Sequence, residues 1–113
     1  MVKGRYTDVK AEPATLAGAQ ATIRWLIAKK EGAPNFAMRV IELAHKGDRI
    51  PLHRHSSEHE IFVFEGKGRL LQPGGESPVE TGDFVYVAPE EEHGFENLGE
   101  GPFRFICVIP LPE

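Results

Sequence analysis

Three of the five histidines in this chain lie within seven residues of one another. They are His53, His55 and His59, and on an unbroken β-strand this spacing would place all three rings on one face. Neutral imidazole nitrogens bind first-row divalent metals, so three rings directed at one volume form a chelating arrangement. The residues between them are polar, unlike those of an ordinary core strand. The spacing therefore predicts a metal site, and the alternative is a solvated, histidine-rich loop.

A fourth histidine, His93, follows the predicted strand 84–87 in the segment 89–97. A strand brought back by hairpin topology could place His93 opposite the first three rings. His45 precedes the turn residues 46–48 and is expected at the surface. Imidazole accepts manganese, iron, copper, nickel and zinc alike, so the residue types leave the metal open.

The elements that must position these rings are predicted to be β-strands. Hydrophobic residues alternate with a period of two through most of the chain, and strands recur about every 8 to 12 residues, as in a sandwich or barrel. The glycine-bearing segment 65–68 predicts a hairpin connection, and residues 73–75 predict the next turn. The one helical candidate is 11–21, although Pro13 and Gly18 disfavour it. The predicted strands are 22–28, 36–43, 60–64, 69–71, 84–87 and 103–109.

Composition limits the class of protein. The 113 residues carry a formal charge of -4 without a basic patch, which argues against nucleic-acid binding, and one cysteine excludes a multi-thiolate zinc site. No apolar run approaches the roughly 20 residues of a membrane helix, and no signal peptide is recognised, so the expected location is the cytoplasm. We expect an N-terminal arm or edge strand over residues 1–20 and one β-barrel domain over residues 21–113.

The first histidine segment resembles a motif of the cupin superfamily. That motif is a glycine, five residues, His-x-His, three or four residues, a glutamate, six residues and a glycine. Gly47, His53, His55 and Gly66 keep this register, and His59 stands where the family usually has its glutamate. The departure exchanges one anionic ligand for a neutral one.

The second histidine segment resembles the other cupin motif, which is a glycine, five residues, Pro-x-Gly, two residues, a histidine, three residues and an asparagine. Gly82, His93 and Asn97 keep every spacing. Ala88 and Glu90 replace the proline and the glycine of the motif. Together the two motifs cover about half of the chain, and its whole length fits a single minimal cupin barrel.

Within the superfamily, segments 33–39, 58–66 and 92–95 resemble the small, single-domain (type 2) cupins of thermophilic prokaryotes. The metal of those proteins, often assigned as manganese, is held by four histidines. The resemblance implies an all-β cupin double-stranded β-helix, or jelly-roll barrel, and a homodimer built through its sheets. It also implies one divalent metal ion per chain, manganese first, with iron, copper, nickel or zinc as alternatives. The implied ligands are His53, His55, His59 and His93.

Four neutral ligands leave a divalent ion its full charge, and a six-coordinate ion would keep two positions for dioxygen, peroxide, water or a chelating anion. The favoured function is a metal-dependent oxidoreductase, using dioxygen or peroxide on a small organic substrate. One alternative is a cupin that binds a small ligand without turnover. The other is a Lewis-acid isomerase or epimerase. No nucleophilic triad or phosphate-binding loop is recognised.

The walls of the pocket are predicted from the last strand. Phe105, Cys107 and Ile109 share one face, and if that face points inward they line an apolar chamber near the metal; plain core packing is the alternative. Cys107 would be either an inert buried thiol or one prone to oxidation beside the metal. Arg39 is a candidate cation for an anionic substrate, although alternation does not decide which way it faces.

Overall fold

The chain folds into two antiparallel sheets packed face to face in the computed structural model, which describes residues 1–111. The larger sheet has the order β1-β2-β3-β10-β5-β8 and the smaller has the order β4-β9-β6-β7. The strands are β1 (Glu12–Pro13), β2 (Thr22–Ile27), β3 (Phe36–Leu43), β4 (Arg49–His53), β5 (His59–Glu65), β6 (Lys67–Gln72), β7 (Gly75–Glu80), β8 (Phe84–Val87), β9 (His93–Asn97) and β10 (Phe103–Pro110). This all-β jelly roll is the predicted fold class.

Short 3-10 turns cover Tyr6–Asp8 and Lys29–Glu31. Within residues 1–111, no helix has the length and the hydropathy that crossing a membrane requires.

The core lies between the two sheets and is built from alternate residues of the central strands. β10 pairs with β3 on one side and β5 on the other, so its inward side chains lie at the middle of the larger sheet. Phe105 of β10 contacts Phe103 and, across the core, Phe95 of β9, with ring centroids 5.5 and 4.7 Å apart. Burial of such side chains contributes about 1.5–3 kcal/mol each to the stability of the fold.

The strands read from alternation agree with the structure. β3 and β8 have the predicted bounds, while β2 and β10 differ from them by one residue at one end. The predicted turn at 73–75 is a tight hairpin in which Gln72 of β6 pairs with Gly75 of β7. β7 itself was not predicted, because its sequence, Gly-Glu-Ser-Pro-Val-Glu, contains one large apolar residue and offers no alternation.

The predicted hairpin at 65–68 is wrong. β5 and β6, which flank it, belong to different sheets, so the turn carries the chain from one layer to the other. Gly66 has a φ of 91°, and a Cβ there would lie 2.3 Å from the carbonyl oxygen of Pro102. The glycine is therefore required by the close approach of another backbone as well as by the turn.

The helical candidate 11–21 is also wrong. Glu12 and Pro13 pair with β2 at the edge of the larger sheet, and the segment then turns at Gly18, which has a φ of 81°. Proline and glycine oppose a helix at these positions, and pairing with β2 supplies the backbone hydrogen bonds instead.

Candidate metal centre

Three histidines converge where β4 and β9 of the smaller sheet meet the cavity between the sheets. His53 is the last residue of β4 and His93 the first of β9, and the two are direct partners in the strand register. His55 reaches the same point from the segment that follows β4. One ring nitrogen from each residue lies within 4.8 Å of the other two, and the Nε2 atoms of His55 and His93 are 3.2 Å apart.

Main-chain carbonyls fix the orientation of all three rings. Each Nδ1 atom lies 2.7–2.9 Å from the carbonyl oxygen of a residue two positions away in the sequence. A carbonyl oxygen only accepts, so in the neutral form of each ring Nδ1 carries the proton and Nε2 keeps a free lone pair. Three oriented, neutral donors fit a first-row divalent metal, and such hydrogen bonds to the far ring nitrogen are what metal-binding histidines usually have. The three residues are His53, His55 and His93.

His59, the fourth predicted ligand, lies beside this group and not within it. It opens β5 in the larger sheet, and its ring stacks on that of His55 with centroids 4.0 Å apart. Its Nδ1 lies 3.4 Å from the Sγ of Cys107, so a thiol takes the place that a carbonyl holds for the other three rings. Its role as the fourth ligand stays a prediction.

The histidines do not lie on one unbroken strand, as their spacing had suggested. Their side chains nevertheless point to the same side of the chain. β4 ends at His53 and β5 begins at His59 in the other sheet, so residues 54–58 carry the chain between the two layers. Exposure still alternates through this segment: residues 53, 55, 57 and 59 are half-buried, whereas 54, 56 and 58 are exposed. The histidines therefore share an inward side without sharing a strand. His45 is exposed beside Asp48, as predicted.

Burial favours the neutral form of two of these rings, His59 and His93. Loss of solvent lowers the pKa of His59 to about 3, helped by the positive charges that His55 and Arg39 would place beside it. Burial likewise lowers the pKa of His93 to about 4, against the opposing effect of its hydrogen bond to the Glu91 carbonyl. A neutral imidazole is the form that binds a metal, so the site is ready for one at neutral pH.

A cavity of about 530 Å³ opens onto the histidines. The four pocket candidates read from the sequence all line it: Arg39, Phe105, Cys107 and Ile109. Burial raises the pKa of the Cys107 thiol, so the thiol form dominates at neutral pH.

The sequence did not point to the remaining walls of this cavity. One wall is the turn after β1, whose small or apolar residues form no pattern that predicts a cavity wall. Arg54 and Ser57 contribute from the segment between β4 and β5. The residues from the turn are Ala14, Thr15, Leu16 and Ala19.

The family model described as "Cupin domain" matches residues 39–109, well over half of the chain. This protein belongs to the cupin family. The matched region contains both histidine segments and the strands that carry them.

Several known proteins are similar to this cupin. The polyketide cyclase RemF from Streptomyces resistomycificus is 35% identical, with a TM-score of 0.92 over 99% of this chain and 80% of that one. The glucose-6-phosphate isomerase of Pyrococcus furiosus is 32% identical over 73% of this chain and 49% of its own length. Gentisate 1,2 dioxygenase 1 of Aquipseudomonas alcaligenes is 32% identical over 64% of this chain and 21% of its own length. The chain spans about half or less of the length of the curated relatives it matches.

The turn of the second cupin motif keeps its geometry in spite of the substituted glycine. Glu90 adopts a φ of 65°, the left-handed conformation that glycine adopts without strain, and its N–H donates to the carbonyl of His55 at 2.8 Å. The turn thus ties the His55 segment to the strand that follows. At the end of the motif, the fully buried Asn97 donates to the carbonyls of Leu43 and Gly101, which anchors the far end of β9.

Proposed function

We propose that this cupin is a metal-dependent enzyme that acts on a small, oxygen-bearing organic substrate in the cavity. Three free Nε2 atoms converging on that cavity carry the proposal. The proposed centre is one divalent ion per chain, manganese first among the candidates, with His59 completing the ligand set of His53, His55 and His93.

The residues of the chain would hold and shield the reacting centre. Carbonyl acceptors keep the rings oriented before any metal arrives, so little ordering remains to be done on binding. Phe95, Phe105 and Ile109 line the cavity with apolar surface, which excludes water from the substrate. A bound divalent ion would supply Lewis acidity or, with a redox-active metal, oxygen chemistry.

The comparisons favour Lewis-acid chemistry on an enolisable keto compound as the first candidate reaction. RemF, a polyketide cyclase, is similar over nearly the whole of this chain and most of its own. The similarity to an isomerase, over about half of that protein, supports the same class of reaction. Aldol-type ring closure and isomerisation by enolisation both develop enolate charge, which a cationic centre would stabilise without any change of oxidation state.

Oxidation of a small substrate by dioxygen or peroxide, the function favoured by the sequence, is the second candidate. The two open positions that a six-coordinate ion with four histidine ligands would keep support it, since an oxidant and the substrate could then bind together. The similarity to gentisate 1,2 dioxygenase supports it as well, although that similarity covers 21% of the longer protein. A cytoplasmic location and a homodimer remain parts of the proposal.

The metal centre is tested by elemental analysis of protein purified without a histidine tag. We expect close to one metal ion per chain in the wild type and near-complete loss in a His53→Ala/His93→Ala double variant. His45→Ala is the matched control, because its side chain is exposed and does not line the cavity. Equal metal content in the double variant, with the fold intact, would contradict the proposed site.

The reaction class is tested with 1,3-diketones and catechols in sealed anaerobic tubes and in air. Products followed by NMR without oxygen uptake would support Lewis-acid chemistry, whereas uptake in step with substrate loss would support the oxidoreductase. Turnover unchanged after metal removal would contradict both. Binding of these compounds without turnover of any of them would instead indicate a ligand-binding cupin.

A further inference from the structure

Arg39 is a cation inside the cavity without a counter-ion. Its guanidinium lies on the cavity wall, and among residues 1–111 no carboxylate comes within ion-pair distance of it. Its Nε is buried and has no hydrogen-bond partner in the described chain. Its one side-chain hydrogen bond runs from Nη2 to the Sγ of Cys107 at 3.1 Å, and a thiol is a weak, uncharged acceptor.

The other partly buried arginines of the fold each have a strong acceptor: Arg24 donates from Nε to the carbonyl oxygen of Val9 at 3.1 Å, and the remaining two pair with carboxylates. Arg104 pairs with Glu42 and Glu65 on the outer side of the larger sheet, and Arg69 pairs with Glu76 and Glu96. A buried guanidinium is normally matched in this way, because an unpaired buried charge is costly. Arg39 is the exception, and it lies where a bound ligand could supply the missing anion.

The cavity itself offers Arg39 no such anion. No aspartate or glutamate of the described chain lines it, and its second arginine, Arg54, is paired with Glu92 at 2.7 Å on the exposed rim. Most of the remaining wall is apolar or formed by neutral histidines. A ligand that suits this cavity therefore combines an anionic group with an apolar body.

The position of Arg39 directs that anion towards the histidines. The thiol that accepts from Arg39 lies 3.4 Å from Nδ1 of His59, so one side chain separates the guanidinium from His59, whose ring stacks on that of His55. The Trp25 ring packs against the guanidinium, with its centroid 5.3 Å from Cζ, and this stacking holds the cation in place.

We propose that Arg39 is the anion-recognition residue of this cavity and that its ligand is an organic carboxylate with an apolar body. The inference rests on the proposed function, since it names the substrate class of the same site. The carboxylate occupies the unpaired donors of Arg39, including Nε, and presents the rest of the molecule to the histidine group. Arg39 acts by binding and orientation.

The test compares a carboxylate with its neutral isostere in metal-free protein. Cyclohexanecarboxylate and cyclohexanecarboxamide have the same apolar ring, and neither absorbs where tryptophan does. Trp25 is the only tryptophan of the chain, so its fluorescence reports directly on the neighbourhood of Arg39. Titration calorimetry gives the affinity independently of that signal.

We expect wild-type protein to bind the carboxylate at least about tenfold more tightly than the amide, as a charge-assisted hydrogen-bonded pair would allow. Arg39→Gln should abolish that preference while leaving the amide affinity unchanged, and Arg39→Lys should keep part of it. Arg54→Gln is the matched control, because it removes a cavity arginine that already has a partner, and it should preserve the preference.

Equal binding of the two compounds by the wild type would overturn the inference without need of any variant. So would a preference that survives in Arg39→Gln, or failure of the carboxylate to bind at millimolar concentration. Because no metal is present in these titrations, the result is independent of the metal analysis. If the protein prefers the carboxylate but binds no metal, the inference about Arg39 is supported and the proposed function is contradicted.

Discussion

At the scale of single residues, the chemistry of the site is decided by which nitrogen of each imidazole carries the proton. Short-range contacts to carbonyls two residues away settle this for His53, His55 and His93, so the selection is built into the local backbone. His59 differs, because its Nδ1 faces the Cys107 thiol. The four rings are therefore not equivalent, and His59 is the one whose orientation depends on contact between distant parts of the chain.

The first prediction concerns the stability of the metal-free protein in mild acid. His59 and His93 have pKa values of about 3 and about 4 when folded, against 6.5 as the ordinary value. Between pH 6.5 and 4 the unfolded chain binds more protons than the folded one, so the free energy of unfolding falls as the pH falls through this window. From pH 7 to pH 5 we expect a loss of about 1–2 kcal/mol in total, allowing for partial solvent screening. Urea unfolding after chelator treatment at several pH values measures it.

The source of that loss is checked with a His59→Gln/His93→Gln double variant, which should show a flatter dependence of stability on pH. His45→Gln serves as the control, since its side chain is 85% exposed. A double variant that retains the wild-type slope would show that other groups cause the loss.

At the scale of strands, the sequence predicted those elements in which alternation itself determines the structure. β3, β8 and β10 each place one face on the core, so their apolar residues recur with a period of two. β9 was missed as a strand because it is buried along most of its length and holds polar residues, His93 and Asn97, that bond inside the protein. Burial without alternation gives no periodic signal.

The sequence singled out the histidines of the candidate site but did not predict their geometry. Motif spacing singled out the four histidines, yet their convergence depends on the pairing of β4 with β9 and on a crossover between sheets. The orientation of Arg39 was undecided by alternation, because each face of β3 carries one charged residue among apolar ones. The pairing with β2 and β10 settles it, since these strands place Trp25 and Cys107 opposite Arg39.

The second prediction concerns Gly94, which lets β9 approach β4 closely. A Cβ at this position would lie 2.5 Å from the carbonyl oxygen of Ile50 in β4. Gly94→Ala must therefore push the two strands apart at the very place where His53 faces His93. We expect a loss of about 1–3 kcal/mol in stability together with weaker metal binding.

Gly75→Ala is the control, because a Cβ there meets nothing within 4 Å. Thermal melts with and without metal measure both effects, and normal metal binding by Gly94→Ala would contradict the proposed role of the β4–β9 contact.

At the scale of the whole molecule, part of the cavity wall comes from a different region of the chain than the histidines do. The region matched by the cupin model begins at residue 39 and includes every histidine of the site. The turn after β1, with Ala14, Thr15 and Leu16, lies before that region and still forms one side of the cavity. The histidines thus lie in the region shared with the family, whereas part of the cavity wall belongs to a segment that the family model does not cover.

The outer side of the larger sheet carries an exposed apolar surface, separate from the apolar wall of the cavity. Phe62 of β5 and Phe84 of β8 are direct cross-strand partners, and their side chains are 46% and 84% exposed. Tyr86 and Phe36 are exposed as well, on β8 and β3 of the same sheet. Clusters of exposed aromatic residues are uncommon on monomers and mark interaction surfaces.

The third prediction is that this surface forms the expected homodimer. Packing two such faces would bury aromatic side chains that the isolated chain leaves in water, and a stable dimer needs about 800 Å² per partner. Phe62→Lys combined with Phe84→Lys should give a monomer, because two added cations on each face repel across the interface while the inward neighbours Ile61 and Val85 are untouched.

Leu98→Lys, at an exposed position that follows β9 of the other sheet, should remain dimeric. Sedimentation velocity distinguishes the two species, with circular dichroism to verify folding. A wild-type monomer would contradict the predicted dimer, and a dimer unaffected by the double substitution would place the contact elsewhere. The cavity lies between the sheets, so it should keep its metal in either state.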